Sequence, residues 1–224
     1  MHQEPARWVI SLGQVHASQA HSAELHFQDE RAQVHKVVVG PMDNNVFVLR
    51  CRDTGEAVLI DAADDADQLL RMCRSLGVTR VLETHGHHDH IQAVPALQAA
   101  GYEVGVSPED APMLSSHDFT IEDDAVFDVG RLRLRSLFTP GHTPGSMSFL
   151  VEGSPVVFAG DTLFPGGPGK TTNPGGHFPT IIRSIEERLF SRLDPDTVVM
   201  PGHGENTTIG AEQPHLGEWI ERGW

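Results

Sequence analysis

The 224-residue chain is short of cysteine and of basic residues, and each shortage excludes a class of protein. Its two cysteines, Cys51 and Cys73, form neither a CxxC pair nor a disulfide framework, as expected for a protein of the reducing cytosol. Against 31 acidic residues stand only 16 basic ones, and the net charge of −15 disfavours binding to nucleic acid or to an anionic membrane surface. We therefore expect a cytoplasmic protein with neither of these partners.

Long apolar runs and the motifs of covalent hydrolases are missing too. No stretch approaches the roughly 18 apolar residues of a membrane span. The N-terminus has no basic region followed by an apolar one, so we expect no signal peptide. Neither a GxSxG motif nor a cysteine nucleophile is present, which disfavours hydrolysis through a covalent intermediate.

Patterns of strands and helices follow each other along the chain from residue 34 onward. Strands are predicted by β-branched runs at 34–40, 45–51, 57–61, 79–84, 103–107, 125–129, 131–138, 148–153, 155–161 and 197–200. Helical spacing of apolar residues predicts helices at 66–76, 91–101 and 178–190. Because helices follow strands while several strands are joined by hairpins, we predict two mixed sheets packed face to face with helices outside. We expect one domain over 1–224, with 1–33 as an irregular N-terminal extension that is strand-like only at 7–12 and 24–28.

Residues that bind metals cluster just after predicted strands. THGHHDH (84–90) places four histidines and one aspartate in seven residues, directly behind the strand at 79–84. With the later loops, the candidate ligands are His85, His87, Asp89, His90, His142, Asp161 and His203. Open sheets build their ligand crevices at such strand ends, whereas an isolated HxH in a histidine-rich chain is mostly a surface loop. Five imidazoles and two carboxylates suffice for two Zn²⁺, and the carboxylates also suit iron or manganese.

Four motifs together resemble the metallo-β-lactamase superfamily, and within it the glyoxalase II-like (hydroxyacylglutathione hydrolase-like) proteins. The motifs are THGHHDH, GHTPGS (141–146), AGDTLF (159–164) and PGHG (201–204). The resemblance implies an αβ/βα sandwich of two mixed β-sheets flanked by helices, with the metals at one edge. Carried over by position, one metal takes His85, His87 and His142, the other takes Asp89, His90 and His203, and Asp161 bridges them. His88 falls in the variable slot between ligands.

The residues themselves suggest a mechanism. Two metal ions about 3.5–4 Å apart share a water, lower its pKa and present it as hydroxide to a carbonyl. Asp161 would fix that spacing, and Asp89 is the candidate catalytic residue because it could orient the nucleophile or take its proton. Asp61, at the end of AVLID (57–61), either hydrogen-bonds to a ligand histidine or caps the next helix.

The substrate is less closely defined by the sequence. Only about 20 residues follow PGHG, so we do not expect the C-terminal segment with which glyoxalase II holds glutathione. Lys170 stands where relatives of this length carry arginine, and it is either a contact for a substrate carboxylate or a solvated lysine. True β-lactamases commonly have cysteine where Asp161 stands, so lactam hydrolysis is not expected. We predict a dinuclear metal-dependent hydrolase of a small-molecule thioester, or of a lactone or other ester.

Two other functions fit part of the pattern. Persulfide dioxygenases resemble the chain in length and motifs and use a single iron, which here would be held by His85, His142 and Asp161. A metal-stabilised binding module without catalysis is the other alternative, although the retention of all seven ligands disfavours it. A homodimer is compatible with the sequence, but nothing in the sequence requires one.

Overall fold

The computed structural model describes residues 7–8 and 23–223, and its first sheet has eight strands in chain order. These strands are β1 (Arg7–Trp8), β2 (Glu24–Gln28), β3 (Ala32–Val39), β4 (Asn44–Cys51), β5 (Ala57–Ile60), β6 (Val78–Leu82), β7 (Glu103–Val106) and β8 (Phe119–Thr120). Pairing is antiparallel from β1 to β5 and parallel from β5 to β8. In this register the start of β4 and the ends of β5 and β6 lie at the same edge of the sheet.

Three helices cover the outer face of the first sheet. They are α1 (Ala66–Leu76), α2 (His88–Ile91) and α3 (Val94–Ala99). Leu69 and Cys73 of α1 pack with Leu97 of α3 against the β-branched residues of the sheet. The left-handed Gly77 (φ 77°) ends α1, because only glycine adopts this conformation without strain. No helix in the described part of the chain has the length and apolar character needed to cross a membrane.

The second sheet has six strands and carries its helices on the opposite outer face. The strands are β9 (Val126–Val129), β10 (Leu132–Phe138), β11 (Met147–Val151), β12 (Val156–Gly160), β15 (Val198–Pro201) and β16 (Thr207–Thr208), in the order β16-β15-β12-β11-β10-β9. Between β12 and β15 lie a small hairpin and a helix, β13 (Leu163–Phe164), β14 (Gly167–Pro168) and α4 (Phe178–Ser184). The chain closes with α5 (Ile209–Glu212) and α6 (Leu216–Arg222).

A continuous apolar core joins the two sheets face to face. Phe47 of β4 meets Phe158 of β12 with 5.4 Å between ring centroids, and both rings are at most 2% exposed. On the far side of the second sheet, Ile181 of α4 and Trp219 of α6 form a separate cluster with Val199. The predicted sandwich of two mixed sheets with outer helices is therefore confirmed.

The N-terminal boundary of the sandwich differs from the prediction. Residues 24–28 form β2, and β3 begins at Ala32, so the irregular extension does not reach residue 33. β2 pairs antiparallel with β3 and so belongs to the first sheet. The run ELHFQ was strand-like in the sequence, but it did not indicate this pairing by itself. The remainder of the predicted extension, 1–6 and 9–22, lies outside the described residues.

The predicted helix at 91–101 is wrong in its extent. In the structure it is split into α2 and α3 by a turn at Gln92 and Ala93. The backbone amides of these two residues donate to the carbonyls of Ala63 and Ala62, both at 2.9 Å, and so leave the helical pattern. Pro95 then occupies the first turn of α3, where its missing N–H costs nothing. The break allows α2 to present its histidine and aspartate at the sheet edge.

The helix predicted at 178–190 also changes character along its length. It is α-helical to Ser184 and continues as a π-helix over Ile185–Phe190. The wider turn keeps Ile185, Leu189 and Phe190 buried against the second sheet. Apolar spacing therefore identified the buried face correctly, although it did not predict the local widening.

Candidate metal centre

Four loops at one edge of the sandwich bring the predicted ligands together. The loops follow β6, β10, β12 and β15, so each begins at the C-terminal end of a strand. The ligand atoms within each of three groups lie within 4.8 Å of one another, and the groups are His85–His87–His142, His85–His90–Asp161 and Asp89–His90–His203. All seven residues named from the sequence occur in these groups. His88, the intervening residue, is exposed.

The three-histidine group, which we define as His85, His87 and His142, is compact. His87 Nδ1 lies 2.9 Å from His142 Nε2. The ring of His85 is 4.9 Å from each of the other two rings, nearly perpendicular to both. His85 Nε2 is buried and has no hydrogen-bond partner among the described residues. A buried nitrogen in this position is expected to have a partner, and a cation would supply one.

The Asp–His group, which we define as Asp89, His90 and His203, faces the same space from the other side. His203 Nε2 lies 3.3 Å from Asp89 Oδ2 and 3.3 Å from His90 Nε2. His90 is fully buried, whereas the Asp89 side chain is 19% exposed. This group therefore combines a ligand set with a carboxylate that a substrate can approach.

Asp161 lies between the two groups. Its Oδ2 is 3.5 Å from His142 Nε2, and its Oδ1 is 3.5 Å from His90 Nε2. Oδ1 is buried without a hydrogen-bond partner among residues 23–223. Oδ2 also lies 3.7 Å from His203 Nε2, so the carboxylate lies between the two groups and contacts histidines of both, as a bridging ligand would.

The nitrogens that face away from the centre are held by hydrogen bonds. The four contacts are His85 Nδ1 to Thr84 Oγ1 at 3.0 Å, His90 Nδ1 to Asp61 Oδ2 at 2.9 Å, His142 Nδ1 to Lys170 O at 2.6 Å, and His203 Nδ1 to Met42 O at 2.9 Å. Carbonyls and carboxylates only accept, and the Thr84 hydroxyl gives its own proton to Asp61, so the four outer nitrogens donate and the inner nitrogens are left to face a cation. Metal-binding histidines are fixed in this way, and the residues therefore fit divalent cations.

Asp61 supports the centre through two neighbouring residues. Besides His90, its carboxylate accepts from the Thr84 amide at 2.6 Å and from Thr84 Oγ1 at 2.9 Å. Its backbone is left-handed (φ 64°), a strained conformation for a residue other than glycine. The sequence left two roles open for Asp61, a hydrogen bond to a histidine or a cap on the next helix. The structure has the hydrogen bond to His90, and the N-cap position of α1 is occupied by Asp65 instead.

Glu83 is a buried acid beside Asp61 that the sequence did not suggest. Its carboxyl group accepts from the Ala62 amide at 3.1 Å. Burial, reinforced by the charge of Asp61, raises the pKa of Glu83 well above its usual range. A neutral Glu83 can donate a hydrogen bond to Asp61, which leaves a single negative charge behind His90.

Two further residues reach the centre from outside the motifs. Asn44, 1% exposed, donates from Nδ2 to Asp89 Oδ2 at 2.9 Å. Asp110, fully buried, accepts from the backbone amide of Gly86, between two of the histidines. Neither NNVF nor SPED has the spacing of a metal-binding motif, so the sequence gave no reason to select these two residues. Only the presence of a polar residue at a strand start or in a short loop could have directed attention to them.

Charge is distributed unevenly over the centre. Burial, and then the neighbouring histidines, lower the pKa of His85 well below its usual range, which favours the neutral ligand form. Burial would also lower the pKa of His90, but Asp161, Asp61 and Asp89 outweigh it and raise that pKa to about 9. Burial of Asp89 opposes its ionisation, yet its hydrogen bond with His203 and the charge of His90 lower its pKa overall. A metal ion at His90 therefore competes with a proton, so metal affinity falls as the pH falls.

We expect Gly202→Ala to weaken metal binding without unfolding the chain. A Cβ at this position would lie 2.3 Å from Asp161 Oδ1 and 2.7 Å from His90 Cε1, so at least one ligand must move. Displaced ligands typically cost about 10- to 100-fold in metal affinity. Competition with a chromophoric chelator measures this loss. Gly217→Ala is the control because nothing lies within 4 Å of its added carbon. Equal metal affinity in both variants would contradict the packing argument.

The chain belongs to the metallo-beta-lactamase superfamily, whose family model matches residues 39–203. A probable metallo-hydrolase of Bacillus subtilis, YqgX, is 31% identical over 203 residues, which cover 80% of this chain and 93% of the relative. Hydroxyacylglutathione hydrolase GloC of Haemophilus influenzae is 33% identical over 183 residues, which cover 72% of this chain and 86% of the relative. The resemblance inferred from the four motifs is thereby confirmed.

Solved structures share the same sandwich. The B3 metallo-beta-lactamase BLEG-1 matches with a TM-score of 0.75 and 29% identity, covering 82% of this chain and 97% of the other. ETHE1 from Myxococcus xanthus matches with a TM-score of 0.72 and 29% identity, covering 82% of each chain. TTHA1623, in a di-iron-bound form, matches with a TM-score of 0.69 and 30% identity, covering 80% of this chain and 96% of the other. The chain therefore shares its overall fold with these three proteins.

Proposed function

We propose that the protein is a dinuclear metal-dependent hydrolase whose substrate is a small-molecule thioester. The observation that carries this proposal is the position of Asp161, with one carboxylate oxygen 3.5 Å from a histidine of each group. A lone metal would need only one of those contacts. The GloC relative, a hydroxyacylglutathione hydrolase, supports the substrate class.

Each group would hold one ion. The three-histidine group and Asp161 provide four ligands for the first, and the Asp–His group and Asp161 provide four for the second. When bound, such a pair acidifies a shared water and polarises the carbonyl of the substrate. Zinc is the ion that this nitrogen-rich set suits best, and iron and manganese are compatible with the carboxylates.

The protein's own side chains would orient the nucleophile and accept its proton. Asp89 is the partly exposed carboxylate of the centre, and its lowered pKa keeps it ionised and able to accept a hydrogen bond. Asn44 holds Asp89 Oδ2 and so fixes the direction of the carboxylate. Asp89 is therefore proposed to orient the nucleophile, and its exposure makes it the carboxylate of the centre that can take the nucleophile's proton.

Lys170 is proposed to attract an acidic substrate to this side. Its side chain is exposed, while its carbonyl oxygen accepts from His142 Nδ1 and keeps the residue at the edge of the centre. We expect Lys170→Ala to raise KM for S-lactoylglutathione roughly 2- to 5-fold with kcat unchanged, as for an exposed ion pair of about 0.5–1 kcal/mol. Lys170→Arg should retain the wild-type KM. Steady-state kinetics with a neutral thioester provides the control, since its KM should not respond to either change.

A second candidate function is an iron-dependent oxidoreductase. The reason to test it is that TTHA1623, a relative with 30% identity, was solved in a di-iron-bound form and so accepts iron, with two ions rather than one. In this reading His85, His142 and Asp161 hold one iron, and the remaining ligands are not used. The set of two histidines and one carboxylate is typical of non-haem iron oxygenases.

Parallel assays of zinc-loaded and iron-loaded protein separate the two functions. We expect the zinc form to cleave S-lactoylglutathione and simple thioesters, and neither form to consume oxygen with glutathione persulfide. Oxygen uptake by a protein containing one iron would overturn the hydrolase proposal. A chromogenic cephalosporin belongs in the substrate panel because BLEG-1 is named a metallo-beta-lactamase. Inertness toward every thioester and lactone tested would contradict the proposed reaction while leaving the fold unaffected.

A further inference from the structure

We propose that Asp110 and Asn44 are positioning residues for different metals, so that each one controls the occupancy of a single subsite. The inference rests on the proposed dinuclear centre. Asp110 acts on the three-histidine group and Asn44 on the Asp–His group. Neither residue is among the seven ligands, and both are almost completely buried.

Asp110 joins the two loops that carry the three histidines. Its Oδ2 accepts from the Gly86 amide at 2.9 Å and from Thr143 Oγ1 at 2.6 Å, and its Oδ1 accepts from the Gly145 amide at 2.7 Å. Gly86 lies between His85 and His87 in sequence, and Thr143 follows His142. One carboxylate therefore fixes the backbone on both sides of the group.

The packing around Asp110 shows how tightly the loops depend on it. A Cβ on Gly145 would lie 2.6 Å from Asp110 Oδ1, so glycine is needed for the amide to reach the carboxylate. The 3-10 turn at Ala111–Met113 begins directly after Asp110 and holds its backbone in place. Three donors from two loops thus converge on the two oxygens of this one carboxylate.

Asn44 performs the equivalent role for the Asp–His group. Its backbone forms an isolated antiparallel bridge with His203, and its Nδ2 donates to Asp89 Oδ2 at 2.9 Å. The adjacent Asn45 anchors the same loop by donating from Nδ2 to the carbonyls of Pro201 and Gly204, both at 2.9 Å. Asn45 thus holds the loop in general, whereas the Asn44 side chain sets the direction of a predicted ligand.

The two sets of contacts are separate. Within the described chain, no hydrogen bond joins Asp110 to the Asp–His group or the Asn44 side chain to the three-histidine group. The two groups themselves meet at Asp161 and where the rings of His85 and His90 pack with 4.1 Å between centroids. Loss of either positioning residue should therefore disturb one metal and spare the other.

Stepwise binding of cobalt(II) to the full chain tests this separation. Chelator competition measures the affinity for each ion, and visible spectroscopy identifies which group the ion occupies. His87→Ala and His203→Ala provide reference spectra in which one group is damaged. We expect Asp110→Asn to lose about 10- to 100-fold in affinity for one cobalt ion and to give, at one equivalent, the spectrum of His87→Ala. Asn44→Ala should lose a similar factor for the other ion and give the spectrum of His203→Ala.

Controls distinguish positioning from general damage. Asp118→Asn removes a carboxylate that accepts from the Val104 amide at 2.8 Å but contacts no histidine loop, and it should bind cobalt as the wild type does. If Asp110→Asn does not fold, Thr143→Val removes one of the same hydrogen bonds and should weaken the same ion. Equal weakening of both ions by either variant, or wild-type affinities in both, would overturn the proposal. A wild type that binds only one cobalt ion contradicts the dinuclear centre itself.

Discussion

Asp161→Ala is expected to lower kcat/KM for S-lactoylglutathione about a thousandfold, which corresponds to about 4 kcal/mol of transition-state stabilisation. The reason is that the Asp161 carboxylate lies 3.5 Å from a histidine of each group. Without it, each subsite loses a ligand, and the spacing between the two ions is no longer fixed. Steady-state kinetics and metal analysis on the same sample measure both consequences.

Asp161→Asn is the matched variant because it keeps the shape of the side chain and removes its charge. We expect it to retain more metal than the alanine variant and to remain strongly impaired in kcat, since an amide offers one oxygen in place of two. Wild-type activity in Asp161→Asn would show that no carboxylate needs to bridge the ions. That result would favour a centre with a single functional metal.

Asp89→Ala is the second large effect, with an expected loss of about a hundredfold to a thousandfold in kcat. Asp89 combines two functions in the proposal, as a ligand in the Asp–His group and as the partly exposed carboxylate that takes a proton. Metal content should fall to about one ion per chain, because the three-histidine group is untouched. Single-turnover kinetics with metal analysis checks both parts of the expectation.

Asn44→Ala provides the comparison for Asp89→Ala. It removes the hydrogen bond that directs Asp89 and leaves the carboxylate present, so saturating metal should restore most of its activity. Saturating metal should not restore Asp89→Ala, which lacks the acceptor itself. If metal rescued both variants equally, Asp89 would be a ligand only, and the proposed proton transfer would be wrong.

The seven candidate ligands could be named from the sequence because each motif is local, and the structure brings these residues together. The histidines and aspartate of THGHHDH are positioned by one strand end and one short helix, so their spacing alone indicates shared metal binding. The other ligands follow β10, β12 and β15, and parallel or hairpin-linked strands bring such ends to one edge of a fold. Sandwich architecture followed from the same alternation of strands and helices.

The residues that the sequence did not predict depend on contacts between distant segments. Asp110 reaches Gly86 across 24 positions and Gly145 across 35, and nothing near SPED indicates either contact. The start of β4 carries Asn44 to Asp89, 45 positions away. The break between α2 and α3 has the same origin, because the amides of Gln92 and Ala93 bond to the loop that follows β5. Sequence periodicity describes a single segment, whereas these contacts join two distant segments, so periodicity could not predict them.

Titration of metal-free protein with Zn²⁺, followed by hydrolysis of S-lactoylglutathione, tests the dinuclear hydrolase most directly. The proposal predicts activity that increases with added zinc and reaches its maximum at about two ions per chain, in keeping with the two groups that share Asp161. Full activity at one ion per chain, or turnover that requires iron and consumes oxygen, would contradict it.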